Sequence, residues 1–162
     1  MKWTSIEAMP KPAEAVAPSG LRSSALTDDV SFLLARANAI ALAAGNAALA
    51  EHGLKARSYS VLVLASGDAR PSQRELAEFL RLDPSQVVSL VDELQSRGLV
   101  ERRPDPSDRR ANFVVATDAG RSLVVTARES ARAAEERVHA QLSADDRETL
   151  STLLRALAFP DE

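Results

Sequence analysis

Ser85, Gln86, Val88 and Ser89 bring two hydroxyls, a carboxamide and a branched apolar side chain into one short stretch. A carboxamide can pair bidentately with the edge of an adenine, and a valine methyl can pack on the methyl of thymine. Further along, Asp108-Arg109-Arg110 sits in turn-forming sequence. An arginine on a thin loop can enter a narrow minor groove, where the negative potential of A·T-rich DNA holds it. Ser72, Gln73, Arg74, Arg102 and Arg103 add donors suited to phosphate oxygens, contacts that set position without reading sequence. Bond-making chemistry has little to work with. His52 and His139 are the only histidines, and cysteine, a glycine-rich phosphate loop and a metal-spaced cluster are all missing from the sequence. No catalytic residue, metal or cofactor is expected.

The elements that must hold these residues are well signposted. Asp83-Pro84-Ser85-Gln86 opens a helix: Asp83 can accept from orphan backbone N–H groups, Pro84 suits the first helical position, and Gln86 can complete a capping box. Val87, Leu90, Val91 and Leu94 recur at i, i+3, i+4 and i+7, one apolar stripe facing a core, and Gly98 falls where a left-handed C-cap belongs. At about 100° per residue, Ser85, Ser89, Asp92 and Ser96 lie opposite the stripe, with Gln86, Val88 and Glu93 on its flanks. Upstream, Ser72-Gln-Arg-Glu75 is a capping box opening a short helix with Leu76, Phe79 and Leu80 turned inward, and Arg81-Leu82-Asp83 is the turn. Downstream, 99–103 and 111–117 read as two strands joined by the turn chemistry of Pro104-Asp105-Pro106-Ser107-Asp108. The stretch 72–117 is therefore a helix-turn-helix followed by a wing, whose second helix presents its N-terminal residues to base edges in the major groove. Asp92 and Glu93 are unwelcome near phosphates; they lie too deep along the helix to touch DNA, or pair with nearby arginines.

Around this unit the chain is helical. Residues 1–26, with Pro10, Pro12, Pro18 and Gly20, read as a flexible arm carrying Trp3. Thr27 or Asp28 can cap a long helix running to about His52, with Val30, Leu33, Leu34, Ala37, Ala41, Ala44 and Ala48 as its stripe. The stretch 59–65 suits a buried strand as well as a helix, and its neighbours favour helix. Thr117 caps a further long helix bearing Leu123, Ala127, Ala131, Ala134, Val138 and Leu142. Ser143 caps the last, striped by Leu150, Leu153, Leu154 and Leu157. Stripes left over after one subunit folds need a partner, which points to a homodimer. The expected fold is mainly α with a small β wing: a winged helix-turn-helix at 56–117, and a helical dimerisation region formed by 27–55 and 118–160.

Composition bounds the rest. The chain has 162 residues, 45% apolar but only 4% aromatic, so its core is built from Leu, Val and Ala. Continuous apolar sequence of membrane-spanning length and a secretory leader pattern are both missing, so a cytoplasmic protein without a membrane partner is expected. A net charge of −3 does not advertise nucleic-acid binding. Residues 70–110 hold eight arginines against eight acids, so placement, not total charge, carries that case. Seventeen of the twenty basic residues are arginine, which suits bidentate phosphate contacts and equally fits a coding bias that also enriches alanine.

The order of elements and the motifs resemble the MarR family of winged-helix transcriptional regulators. The matching residues are 54–62 (LKARSYSVL), 73–77 (QRELA), 87–94 (VVSLVDEL), 97–102 (RGLVER), 108–110 (DRR) and 117–120 (TDAG). Together they span roughly 28–157. The resemblance implies a dimer on a double-stranded, pseudo-palindromic DNA operator, released by a small, often aromatic ligand such as an aromatic acid or its conjugate. It also implies that Arg109 is the inserted residue, Arg110 a phosphate contact or support, and Asp108 the ion-pair partner orienting the loop. Family ligands lodge where the dimer helices meet the reading domain, which here draws in Phe32, Arg36, Asn38, His52, Arg57 and Tyr59. Arg36, His52 or Arg57 could hold a carboxylate; Phe32 or Tyr59 could stack on a ring or serve the core. A ligand would favour a dimer whose reading helices no longer match one DNA turn of about 34 Å. The alternative is a dimeric small-molecule-binding or interaction module that keeps the fold without DNA binding.

Overall fold

The computed structural model describes residues 19–104 and 112–160, and they fall into a unit ending at Ala37 and a second beginning at Asn38.

In the first unit, 3-10 turns at Ser19–Ser23 and Ala25–Asp28 occupy the end of the region read as a flexible arm; residues 1–18, with Trp3, lie outside the described residues. Helix α1 spans Val30–Leu49. Neither Thr27 nor Asp28 caps it. The Thr27 hydroxyl is spent on the Ser24 carbonyl at 2.7 Å, and Asp28 closes the second 3-10 turn. The first carboxylate left is Asp29, whose Oδ1 accepts from the Phe32 N–H at 2.8 Å. The helix runs into a 3-10 turn at Ala50–His52 that ends on left-handed Gly53. Within Val30–His52 an 18-residue window reaches a mean hydropathy of 1.4, long and apolar enough by length and composition to cross a bilayer. Val30, Leu33, Leu34 and Ile40 are exposed in the single chain.

The second unit is built around a Leu/Val core. Helix α2 covers Ala56–Ala65, so the ambiguous stretch is helical. Its first orphan donor, the Ala56 N–H, is satisfied across the fold by Asn46 Oδ1 at 2.8 Å. Helix α3 spans Gln73–Leu80, with the expected box: Glu75 N–H to Ser72 Oγ at 3.2 Å, and Ser72 N–H to Glu75 Oε2 at 2.7 Å. Leu76 is buried and Leu80 half-buried, but Phe79 is 57% exposed. Its ring turns outward and lies 5.8 Å from that of Phe159. Helix α4 spans Pro84–Ser96 with Asp83 as its cap. Val87, Val91 and Leu94 are fully enclosed, Leu90 half so. Gly98 is left-handed, at φ +68°, as a C-cap glycine should be.

Strands β1 (Val100–Pro104) and β2 (Asn112–Ala116) pair antiparallel, Val100 opposite Ala116 and Arg102 opposite Val114. The ribbon is tied back by a Val114 N–H to Pro71 carbonyl bond of 2.8 Å. Thr117 then caps helix α5, Asp118–Val138. Leu142 falls beyond this helix, in a turn, so it does not extend its stripe. Ser143 caps helix α6, Ala144–Ala158, on which Leu153 and Leu157 are 59% and 68% exposed. The fold is a mainly α winged helix with a two-stranded wing.

Candidate nucleic-acid interface and ligand cleft

Helix α4 puts the candidate reading residues on the outside because its stripe goes inward. Ser85, Gln86, Val88 and Ser89 are all exposed. The Asp83 carboxylate accepts from the Ser85 N–H at 2.8 Å and from the Ser85 hydroxyl. These two bonds, the hydroxyl's first, hold the Asp83 carboxyl below the usual carboxylate range. Gln86 is left free of the capping duty expected of it: its N–H is bonded to the Asp83 carbonyl at 3.0 Å, while its side chain borders a cleft. The Ser89 hydroxyl donates back to the Ser85 carbonyl at 3.0 Å. Val88, 39% exposed, borders the groove between α3 and α4.

The expected phosphate donors divide into two groups. Arg74, paired with Glu78 at 2.8 Å, is 86% exposed, and Glu78 raises its already high pKa. Arg103 is exposed and paired with Glu101 in its own strand. Both can turn to a phosphate by giving up only a solvent-screened surface ion pair. Ser72, Gln73 and Arg102 are committed inside the protein. Ser72 is the α3 cap, and Gln73 and Arg102 bond to each other at 2.8 Å. Asp108, Arg109 and Arg110 lie outside the described residues.

A cleft of about 560 Å3 opens between the base of α2 and the first turns of α4. Leu42 and Leu90 supply apolar surface, Lys55 and Arg57 supply positive charge, Glu93 supplies one carboxylate, and Asn46, Ser85, Gln86 and Ser89 complete the wall. Apolar surface beside two cations and one acid leaves a net positive lining, which suits a flat acid. Of the expected ligand residues the structure brings only Arg57 here. Asn38 is exposed on α1, and Tyr59 is half-buried against the core. The His52 ring, 17% exposed, is turned to α5, with Nε2 2.9 Å from Ser130 Oγ and 3.4 Å from Glu51 Oε1. Phe32 and Arg36 belong to the first unit, where Phe32 is half-buried and Arg36 exposed. Sequence reasoning missed Leu42, Asn46, Lys55 and Leu90. The one available signal was Lys55, a cation directly before the first turn of α2.

Residues 52–111 match the MarR family model. A transcriptional regulator (MarR family) from Rhodococcus sp. RHA1 superimposes with a TM-score of 0.77 at 44% identity, covering 86% of this chain and all of that one. The chain belongs to the MarR family. Within it, CouR from Rhodococcus jostii RHA1, solved bound to p-coumaroyl-CoA, gives a TM-score of 0.75 at 44% identity, over 86% of this chain and 99% of that one. A Mycobacterium tuberculosis MarR family protein solved with salicylic acid gives 0.67 at 29% identity, over 79% and 95%. Among curated relatives, the HTH-type transcriptional repressor NicR of Pseudomonas putida is 34% identical over 63% of this chain. The chain spans 65% of that relative's length and 62% of the next, a putative regulator of the hcr operon in Thauera aromatica. MarR-family proteins are transcriptional regulators, and solved members carry aromatic ligands.

Proposed function

We propose that the chain is a homodimeric, sequence-specific repressor that leaves a pseudo-palindromic operator when an aromatic acid, or its thioester conjugate, binds. The observation that carries this reading is the sharing of side chains between two surfaces. Ser85, Gln86 and Ser89 stand on the exposed N-terminal face of α4, where base edges are read, and they also wall the cleft that holds Lys55 and Arg57. A ligand anchored there by the carboxylate of a free acid, or by the phosphates of its coenzyme A thioester, meets the residues that must meet DNA. The p-coumaroyl-CoA and salicylate complexes of the two relatives support the ligand class. In this reading Arg109 enters the minor groove, Asp108 orients it, and Arg110, Arg74 and Arg103 hold phosphates. The exposed apolar stripes of α1 and of α6 each pack against a second copy, as the family's dimers imply.

Selection of bound fragments from genomic DNA, followed by titration of the complex with hydroxycinnamates, salicylates and their coenzyme A thioesters, tests the whole reading. An enriched palindrome released by one of these classes is expected. Enrichment of no sequence would leave a dimeric ligand-binding module, and an operator indifferent to the panel would remove the ligand half. Arg109→Ala should weaken operator binding at least about tenfold, the size of a lost charged contact.

A further inference from the structure

Arg102 lies on β1 opposite the fully buried Val114, on the ribbon face turned toward the helices. Its side chain is 26% exposed. The guanidinium makes three separate bonds: Nε to Gln73 Oε1 at 2.8 Å, Nη1 to Gln95 Oε1 at 2.7 Å, and Nη2 to Asp92 Oδ1 at 2.6 Å. Gln73 is the first residue of α3, whereas Asp92 and Gln95 stand on the second half of α4. One planar group therefore links the wing strand to both helices of the motif. Arg103, the next residue, points to the other face and pairs only within its own strand among the described residues. Two adjacent arginines of one strand are thus placed for different work, as alternation along a strand requires.

We propose that Arg102 is a positioning residue for DNA recognition: it clamps the wing to the reading helix and cancels the Asp92 carboxylate, and it does not serve as a phosphate ligand. For its consequence at the operator this rests on the repressor reading above; the clamp itself is a property of the free protein. The guanidinium gains little by leaving. Swinging to a phosphate would break three charge-assisted bonds, one of them to a carboxylate, and would leave Asp92, 59% exposed on α4, facing a polyanion unpaired. Keeping Arg102 in place instead fixes the direction in which β1 delivers the wing tip.

The test combines the salt dependence of operator binding with amide exchange of residues 100–103 in the free protein. Arg102→Ala should weaken operator binding about tenfold and raise exchange in β1; made in an Asp92→Asn background, where no uncompensated acid faces the DNA, it should leave the slope of log affinity against log salt unchanged. A phosphate ligand would instead lower the slope by about one unit, with β1 exchange unchanged, and that result overturns the proposal. So would a variant that matches wild type in affinity and exchange. Adding Asp92→Asn to Arg102→Ala should recover at least about threefold of the lost affinity, because the uncompensated acid is gone; no recovery would remove the charge-cancelling half. If Arg102→Ala does not fold, Asp92→Asn alone must raise β1 exchange, and unchanged protection refutes the clamp. If no operator exists, the repressor reading falls while the exchange measurement still decides the clamp.

Discussion

Arg97, the C-cap of α4, donates from Nη1 to the Gly53 carbonyl at 2.7 Å and from Nη2 to the His52 carbonyl at 3.2 Å. The end of α4 is thereby fastened to the corner that follows α1, so the helix is held at its far end as well as by its buried stripe. Gly53 is suited to that corner twice over. Its φ is +64°, and a Cβ there would come within 3.1 Å of Arg97 Nη2.

Gly53→Ala should therefore be destabilising by about 1–2 kcal/mol, the cost of a left-handed side-chain residue, with a further loss if Arg97 is displaced. Urea unfolding of Gly53→Ala against the wild type measures it. In an Arg97→Ala background the steric part should vanish and only the backbone cost remain, a double-mutant comparison that separates the two.

Gly120 presents a harder limit. It is buried in the first turn of α5, and a Cβ there would lie 2.0 Å from the Leu99 carbonyl oxygen. That carbonyl is already fixed, accepting from the Thr117 N–H at 3.0 Å. The obstacle is backbone, so no rotamer can relieve it. Gly120→Ala should cost about 3 kcal/mol or more, the upper range for overpacking, and show as a large fall in the urea midpoint with an unchanged m-value.

Local chemistry was legible in the sequence at most helix starts, though not at α1, where Asp29 and not Thr27 or Asp28 accepts from the first turn; non-local chemistry was not. Ser72, Asp83, Thr117 and Ser143 cap the helices they were expected to cap, because a cap joins neighbours in the chain. The α4 stripe, long enough to define a face, went to the core. Helix α3 has eight residues, too few for periodicity to separate a buried face from its flank, and Phe79 turned outward to a ring far along the chain. The pairing of Asp92 with an arginine was one of two readings open from the sequence. The choice of Arg102, and the recruitment of Gln73 and Gln95, depended on how the ribbon docks. The cleft was displaced from its expected lining for the same reason: Asn46 meets the start of α2 only after α1 has turned back at Gly53.

The apolar stripe of α6 makes a prediction about assembly. Leu153 and Leu157 are mostly exposed in the single chain, and burying a leucine side chain stabilises by about 1.5–3 kcal/mol. Leu153→Glu combined with Leu157→Glu should cost little in the isolated subunit and much in a dimer. Sedimentation velocity should show a shift to monomer, with the helical circular dichroism signal of the chain retained. A double variant that sediments as wild type would place the dimer contacts elsewhere.

Acid sensitivity should begin at the cap of α4. The Asp83 carboxyl has its pKa lowered in the folded chain, first by the Ser85 hydroxyl and then by the Ser85 N–H. A carboxyl whose folded pKa is depressed binds its proton more readily when unfolded. Its stabilising contribution is therefore complete above the unfolded value of about 3.9, and is lost as pH falls through the lower folded value. Asp83→Asn can still accept from the Ser85 N–H but carries no titrating charge. At pH 6 the variant should melt below wild type, and the gap should close as pH drops below the ordinary carboxylate range. Melting curves of both proteins from pH 6 downward measure this. A gap that stays constant with pH would mean that the carboxylate stabilises the cap through shape alone, and that its charge contributes nothing to the helix that carries Ser85 and Gln86.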